Sequence, residues 1–409
     1  MVVMRALSRR FTRGLTVALA TCPAVAHAAD WSVTTADFHT DSVALRGLSA
    51  DGVRVSAADG SAERTVPLDR FVSAQRGGPT TPATPPPFTL ALAGGDRLVG
   101  QPTGVAGERL TWAEPLLGTV PVPFARLMAM GRGATVVVPD EQPKQDVVTL
   151  ANGDTVTGVF AGVADGKLAV QQADGSTASV PLANVTRVAF ATIGGPTTRS
   201  TSHAFLVRLA DGSAVTAAGL TVDGNAASLT LAGRDAKPVP LRLDDVLAIE
   251  QLDGPIGWLS SRTPTDAVQV PYLGGSAPWP ARFDAAVDGA PLAFDGQPFA
   301  RGIGVHAYSR LTFAIEPGWS SFRTQYAIDS RRDAPRLLAD VTVRVKLDGK
   351  IVHEQPHVRA GVLSPIVRVD LGSARTLTLE CDYGPSGDTQ AHLNWLQPAL
   401  LRGGAATRP

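Results

Sequence analysis

The chain has 409 residues, of which 44% are hydrophobic and only 18% charged, with 41 glycines and 31 prolines. That length suits two to four domains, and a composition rich in Gly and Pro but poor in charge favours many short strands joined by turns over long helices. Basic and acidic residues balance at 37 each, so no basic surface of the kind that holds nucleic acid is expected.

Residues 1–28 read as an export signal peptide. Arg5, Arg9, Arg10 and Arg13 precede the apolar run from Leu15 to Ala20, and Ala26-His27-Ala28 forms a small-x-small cleavage site. The run is too short for a membrane span, which takes about 20 apolar residues. Ser8-Arg9-Arg10-Phe11 carries a weak twin-arginine pattern, and Leu19-Ala20-Thr21-Cys22 a weak lipoprotein pattern in which Thr21 fits poorly. The expectation is a secreted, periplasmic or cell-surface protein without lipid attachment at Cys22. Beyond the leader acids exceed bases, and Cys381 is the one cysteine left. No intramolecular disulfide is then available, and Cys381, in the strand-like run from Thr376, is expected to be a buried, inert thiol.

From about residue 40 to 251 one pattern recurs. Its clearest copy starts at Val147, turns at Asn152-Gly153, allows a bend at Gly158, turns again at Asp174-Gly175 and closes on Val180-Pro181-Leu182. Asn-Gly is a signal for a two-residue hairpin turn with positive φ at both positions, and Pro181 suits a strand start or edge. The equivalent prolines Pro67, Pro123, Pro181 and Pro240 are spaced by 56, 58 and 59 residues, a period typical of arrayed units. The reading is four small β-barrel-like repeats, grouped as a first pair over 29–140 with a Pro-rich linker at 73–87 and a second pair over 141–252. A second linker covers 192–202. Asp96, Asp154 and Asp211 recur at turns, where Asp serves the backbone. The repeats carry no catalytic constellation, and a role in spacing, assembly or contact with envelope proteins is expected.

Composition shifts near residue 253. All four tyrosines (Tyr272, Tyr308, Tyr326, Tyr383) and four of the six tryptophans lie beyond it. Aromatic faces with planar polar groups suit a sugar ring, and they suit a well-packed sandwich core equally. The stretch Arg301-Gly302-Ile303-Gly304-Val305-His306-Ala307-Tyr308-Ser309 reads as a tight Gly-x-Gly bend that delivers His306 and Tyr308 close together.

Asp288-Gly289-Ala290-Pro291-Leu292, the Gly302-to-Ser309 block, Asp382-Tyr383-Gly384 and Asn394-Trp395 together resemble the NPCBM family, carbohydrate-binding modules first noted beside family 98 glycoside hydrolases. The resemblance covers roughly residues 256–402, inside a module placed at 253–403 and followed by a tail at 404–409. It implies a galactose-binding-like jelly-roll β-sandwich and binding of glycans that include galactose; with the β repeats before it, the whole chain is expected to be all-β. Gln390 and Ala391 replace the acidic residue that the family pattern carries before the His, which separates this chain from the family's usual loop.

His306, Tyr308, Asp329, Asn394 and Trp395 are the glycan-contact candidates. Each also has a structural reading as a core-edge, capping or core residue. Asp382 and Asp388, in a Gly-rich loop, are candidates for a structural calcium ion, and no other cofactor is expected. Arg331-Arg332 reads as a solvated loop. No catalytic residue is assigned. A glycoside hydrolase needs a carboxylate pair across a cleft, and Asp329 with Asp388 is the pair such an enzyme would nominate. The leading expectation is a non-catalytic glycan binder. The alternative is a structural or protein-interaction component of the envelope that does not bind sugar.

Overall fold

The structure is a computed structural model, and it describes residues 31–57, 62–77, 85–134, 136–139, 142–191, 204–231, 237–275, 279–331 and 333–403. The leader with Cys22, residues 78–84 of the first linker, the second linker, Arg332 and the tail lie outside the described residues. The chain is all-β: four five-stranded barrels followed by a two-layer sandwich. Among the described residues no helix is long and apolar enough to cross a membrane.

The third barrel explains the repeat. Strand Asp146–Leu150 pairs with the long strand Thr155–Ala164, which bends and pairs with Lys167–Gln171. Thr177–Pro181 follows, a 3-10 turn at Leu182–Asn184 reverses the chain, and Val185–Ala189 returns to the first strand and closes the barrel. Gly158 marks the corner. A Cβ there would lie 2.2 Å from the Gln171 carbonyl oxygen, so the crossing strand fits only against glycine. The Asn152-Gly153 turn differs from expectation. It runs from Leu150 to Gly153, closed by the Gly153 N–H on the Leu150 carbonyl at 3.0 Å, and Gly153 alone takes a positive φ, of 89°. The loop is longer than a two-residue hairpin, so Asn152 stays in ordinary backbone space.

Barrel closure repeats as Trp31–Thr35 with Phe71–Arg76, Phe88–Leu92 with Leu127–Arg132, and Ala204–Leu209 with Val246–Leu252. Each closing strand has one edge left over, and an unpaired edge is stabilised by pairing. Phe71–Arg76 pairs with Val246–Leu252, and Leu127–Arg132 with Val185–Ala189. These ladders join the first barrel to the fourth and the second to the third, a different grouping from the chain-order pairs that spacing suggested. The second and fourth also touch. Asp96 accepts from the Thr216 N–H and hydroxyl at 2.9 and 2.6 Å, and the Ser213 hydroxyl donates to Glu114 at 2.7 Å. Asp96 thus ties two barrels together, in addition to its place beside a turn. One apolar core, including Trp31, Phe71, Trp112, Val188 and Ile249, runs through all four units.

The sandwich has a six-stranded sheet built around His392–Arg402, flanked by Gly302–His306 and Trp319–Ile328. The facing five-stranded sheet runs Asp266–Gln269, Ser309–Ala314, Thr376–Tyr383, Asp340–Leu347, Lys350–Arg359. Ile303, Val305, Phe313, Phe322, Val343, Leu379 and Leu393 fill the space between them. Cys381 is buried there, and burial pushes its thiol up, as an inert thiol requires.

The module sits on the barrels through Arg301, which pairs with Glu250 of the fourth barrel and, at 2.7 Å, with Asp284. Arg323 lies over the Phe38 ring at 3.7 Å, beside an apolar cluster of Ala36, Val72, Ile256, Ala399 and Leu401. Removing one partner of a buried ion pair strands the other charge, at a cost of about 3 kcal/mol. Arg301→Ala is therefore expected to lower the urea midpoint of the whole chain. Arg301→Ala with Glu250→Gln and Asp284→Asn should recover most of the loss, because no charge is then left uncompensated.

Candidate functional site

The register of the six-stranded sheet builds the site. Gly304 stands opposite Asn394 and His306 opposite His392. Across the next ladder Ala327 stands opposite Asn394, and the Asp329 N–H donates to the His392 carbonyl at 2.9 Å. Directly opposed residues point to the same side of a sheet. His306, His392 and Asp329 therefore form one row, with Asn394 in the row beside it. Their chain neighbours Val305, Leu393 and Ile328 lie in the core, so the four polar groups face outward.

The Gly-x-Gly pattern has a cause other than a bend. Gly302–His306 is a regular strand, and neither glycine has a positive φ. A Cβ on Gly304 would lie 2.3 Å from the Val287 nitrogen and 2.6 Å from the Ala285 oxygen, and one on Gly302 would lie 2.5 Å from the Trp395 oxygen. Gly304 lets the backbone of residues 285–287 lie flat on the strand, and Gly302 makes room for the Trp395 carbonyl and the Leu292 side chain. That excursion buries Ala286 and Leu292 against Ala327 and Leu396 and carries Asp288 to the edge of the polar row.

Asp288 accepts from Arg331 and, at 3.2 Å, from Arg336. Arg331 Nη2 also lies 3.3 Å from Asp329 Oδ2. Trp279 covers the row, its ring 4.9 Å from that of His392 and 6.2 Å from that of His306, and the two imidazoles are 5.0 Å apart, edge to face. Asp329 is 1% and Asn394 2% exposed. Yet both Asp329 oxygens, Asn394 Oδ1, Nδ1 of His306 and of His392, and Nε of Arg331 and of Arg336 are buried without a hydrogen-bond partner. Buried polar atoms are normally paired, and each unpaired one costs about 1–3 kcal/mol. Seven such atoms lie close together here, and they are the feature of this face that calls for an explanation.

The charge states follow from burial. Burial pushes the Asp329 carboxyl up, with Arg331 opposing it. Burial lowers His306 against the pull of Asp388, and Arg336 lowers it further. His392 is pushed down to about 4 by burial, then by Arg336 and His306. Burial works to raise Asp288, but the Ala290 N–H and the two arginines outweigh it and hold the carboxyl below its usual range. Both histidines are neutral at pH 7. The unfolded chain protonates His392 near pH 6.5 and the folded chain only near 4, so the unfolded state gains protons first as pH falls. Stability is expected to decline from pH 6.5 towards 4 and to be insensitive to this group above 6.5. His392→Gln should remove that component from urea midpoints measured across the window.

Asp288, Asp329 and His392 place potential ligand atoms within 4.8 Å of one another. Two guanidinium groups already neutralise the two carboxylates, so a divalent cation would face two positive charges at close range. The row suits vicinal hydroxyls better. Such hydroxyls would donate to Asp329 and Asn394 and accept from the arginine Nε–H groups, with Trp279 as an apolar face.

Of the sequence candidates, His306, Asp329 and Asn394 converge here. Tyr308 does not. The chain leaves the six-stranded sheet at His306 and enters the five-stranded one at Ser309, so Tyr308 pairs with Val270 and its hydroxyl donates to Glu380 at 3.0 Å. Trp395 points the other way from Asn394, into the core, where it meets Tyr326 edge to face at 5.7 Å. Asp382 is held by Arg344 at 2.7 Å, and Asp388 accepts the Tyr272 N–H at 2.9 Å. Among the described residues these two carboxylates belong to no common three-ligand group. Arg331 is an ion-pair member of the site and not a solvated loop residue. Sequence reasoning missed His392, Trp279, Asp288, Arg331 and Arg336. His392 alone had a local signal, since it shares the two-residue period of Asn394.

The fold defines the C-terminal unit as a two-layer β-sandwich that carries this polar row on one face. Residues 257–401 match the model of the NPCBM/NEW2 domain, a match that supports a carbohydrate-binding module there. A protein of Renibacterium salmoninarum named "Putative endo-alpha-N-acetylgalactosaminidase" is 25% identical over 114 residues, 28% of this chain and 7% of that protein. Among solved structures, CBM51-2 with INT domains of Clostridium perfringens ZmpB, in complex with GlcNAc, is similar with 23% identity and a TM-score of 0.32, covering 45% of this chain and 37% of the other. The CBM51 of Clostridium perfringens GH95, in complex with methyl-galactose, is similar with 20% identity and a TM-score of 0.30, covering 36% of this chain and 99% of that one.

Proposed function

We propose that the protein is an exported, non-catalytic glycan binder that uses the row of His306, His392, Asp329 and Asn394, capped by Trp279, to hold a neutral sugar. The observation that carries this reading is the group of seven buried hydrogen-bonding atoms without partners, three of them oxygen acceptors on Asp329 and Asn394. Hydroxyls satisfy them. A uronic or sialic acid would bring its carboxylate against Asp329, so terminal neutral sugars, galactose among them, are the expected ligands. The leader pattern at 1–28 supports a location in the periplasm, at the cell surface or outside the cell. Affinity for one sugar should be modest, because few groups contact it.

A glycan array probed with the full chain tests this reading. Signals on neutral termini are expected, with none on acidic ones and no release of reducing sugar. Silence across all neutral glycans would overturn it. The packing of Arg301 on Glu250 and of Arg323 on Phe38 favours a second reading, in which the barrels and the sandwich form one structural component that meets envelope proteins. A silent array together with capture of such a protein by the full chain would support it.

A further inference from the structure

Where the second and fourth barrels meet, their apolar walls do not close. A cavity of about 540 Å³ remains, lined by Leu92, Leu98, Leu117, Val122 and Val239 and by the Asp96–Arg126 ion pair. Leu92, Leu98, Leu117 and Val122 are otherwise buried residues of the common core. The space opens to solvent, and its volume is that of a small-molecule site. Two more lining residues, Arg109 and Lys237, are exposed and pair with no acid among the described residues. Arg126, the third cation, is already held by Asp96 at 2.7 Å.

The geometry points to a binding site for one small amphipathic anion, its apolar body between the two barrels and its acid group on Arg109 and Lys237. The wall chemistry argues against a peptide strand as occupant. Pro121 and Pro123 remove two N–H donors from strand Gly118–Pro123, and Pro240 removes one from Val239–Arg242, so neither wall offers a full edge for strand addition. The site is separate from the sandwich and does not depend on the glycan reading.

Calorimetric titration of the full chain with decanoate, 1-naphthoate and decyltrimethylammonium tests it. One acid is expected to bind per chain, at least tenfold tighter than the cationic amphiphile. Preference for decanoate would point to an alkyl-chain ligand, and preference for 1-naphthoate to an aromatic acid. The Arg109→Glu, Lys237→Glu double variant should lose tenfold or more in affinity for the acid. Val239→Trp, which fills the cavity and leaves the charges alone, should abolish binding. Where Val239→Trp fails to fold, the charge variant decides. Equal affinity for anion and cation, no binding of either acid, or binding unchanged in the folded variants would overturn the assignment.

Discussion

Gly304→Ala is expected to destabilise the C-terminal module by about 3 kcal/mol, in the upper range for an overpacked site, and to lower its melting temperature by roughly 10 °C. The new methyl would meet the Val287 nitrogen at 2.3 Å, the Ala286 carbonyl carbon at 2.5 Å and the Ala285 oxygen at 2.6 Å. All three are backbone atoms, so no rotamer change relieves the clash. The excursion over residues 284–299 would have to lift, exposing Ala286 and Leu292 and displacing Asp288 from Arg331 and Arg336. Gly104→Ala is the control. It also lies in a strand without positive φ, and its nearest prospective contact is the Val163 oxygen at 4.0 Å, so it should stay within about 0.5 kcal/mol of the parent. Differential scanning calorimetry of the two variants decides the matter. Equal melting would mean that Gly304 is not selected by the backbone lying over it.

Asp329→Asn is expected to separate binding from stability. With sugar bound, Asp329 would accept two charge-assisted hydrogen bonds, and their loss should weaken glycan binding about 100-fold. The same change should leave the free protein about as stable as before, because a buried carboxylate without hydrogen bonds becomes a neutral amide, which offsets the loss of its ion pair with Arg331 at 3.3 Å. Arg331 keeps Asp288 as a partner. The pH dependence has a definite sign. The folded-state pKa of Asp329 is raised, so above pH 3.8 the folded chain holds more protons than the unfolded one. Its contribution to stability therefore falls as pH rises from 3.8 through the folded pKa. Towards pH 7 the parent should lose this contribution, which the variant lacks throughout. A urea midpoint that drops at pH 7 on Asp329→Asn would mean that Asp329 is a structural cap and not a ligand group.

Much of the architecture was legible because it rests on local rules. Turn residues, period-two alternation and the proline spacing located four barrel units and a separate module. His306, Asp329 and Asn394 were legible as polar residues at strand positions. Tyr308 and Trp395 were misplaced because nearness in sequence is not nearness across sheets. Between His306 and Ser309 the chain changes layers, and Trp395 is one residue out of phase with Asn394. Arg331, Arg336 and Asp288 had no local signal at all, since their roles exist only where a long excursion folds back onto the sheet.

The sequence by itself therefore determined what depends on neighbours along the chain: strand class, the repeat and the family resemblance of the module. The tertiary structure alone decided which barrels pair, because edge pairing joins strands far apart in sequence. It alone also turned the Gly-x-Gly stretch from a bend into a flat strand. Gly304 answers to the backbone of residues 285–287 lying against it, and Gly302 to the Trp395 carbonyl and the Leu292 side chain, contacts that a reading along the chain cannot contain.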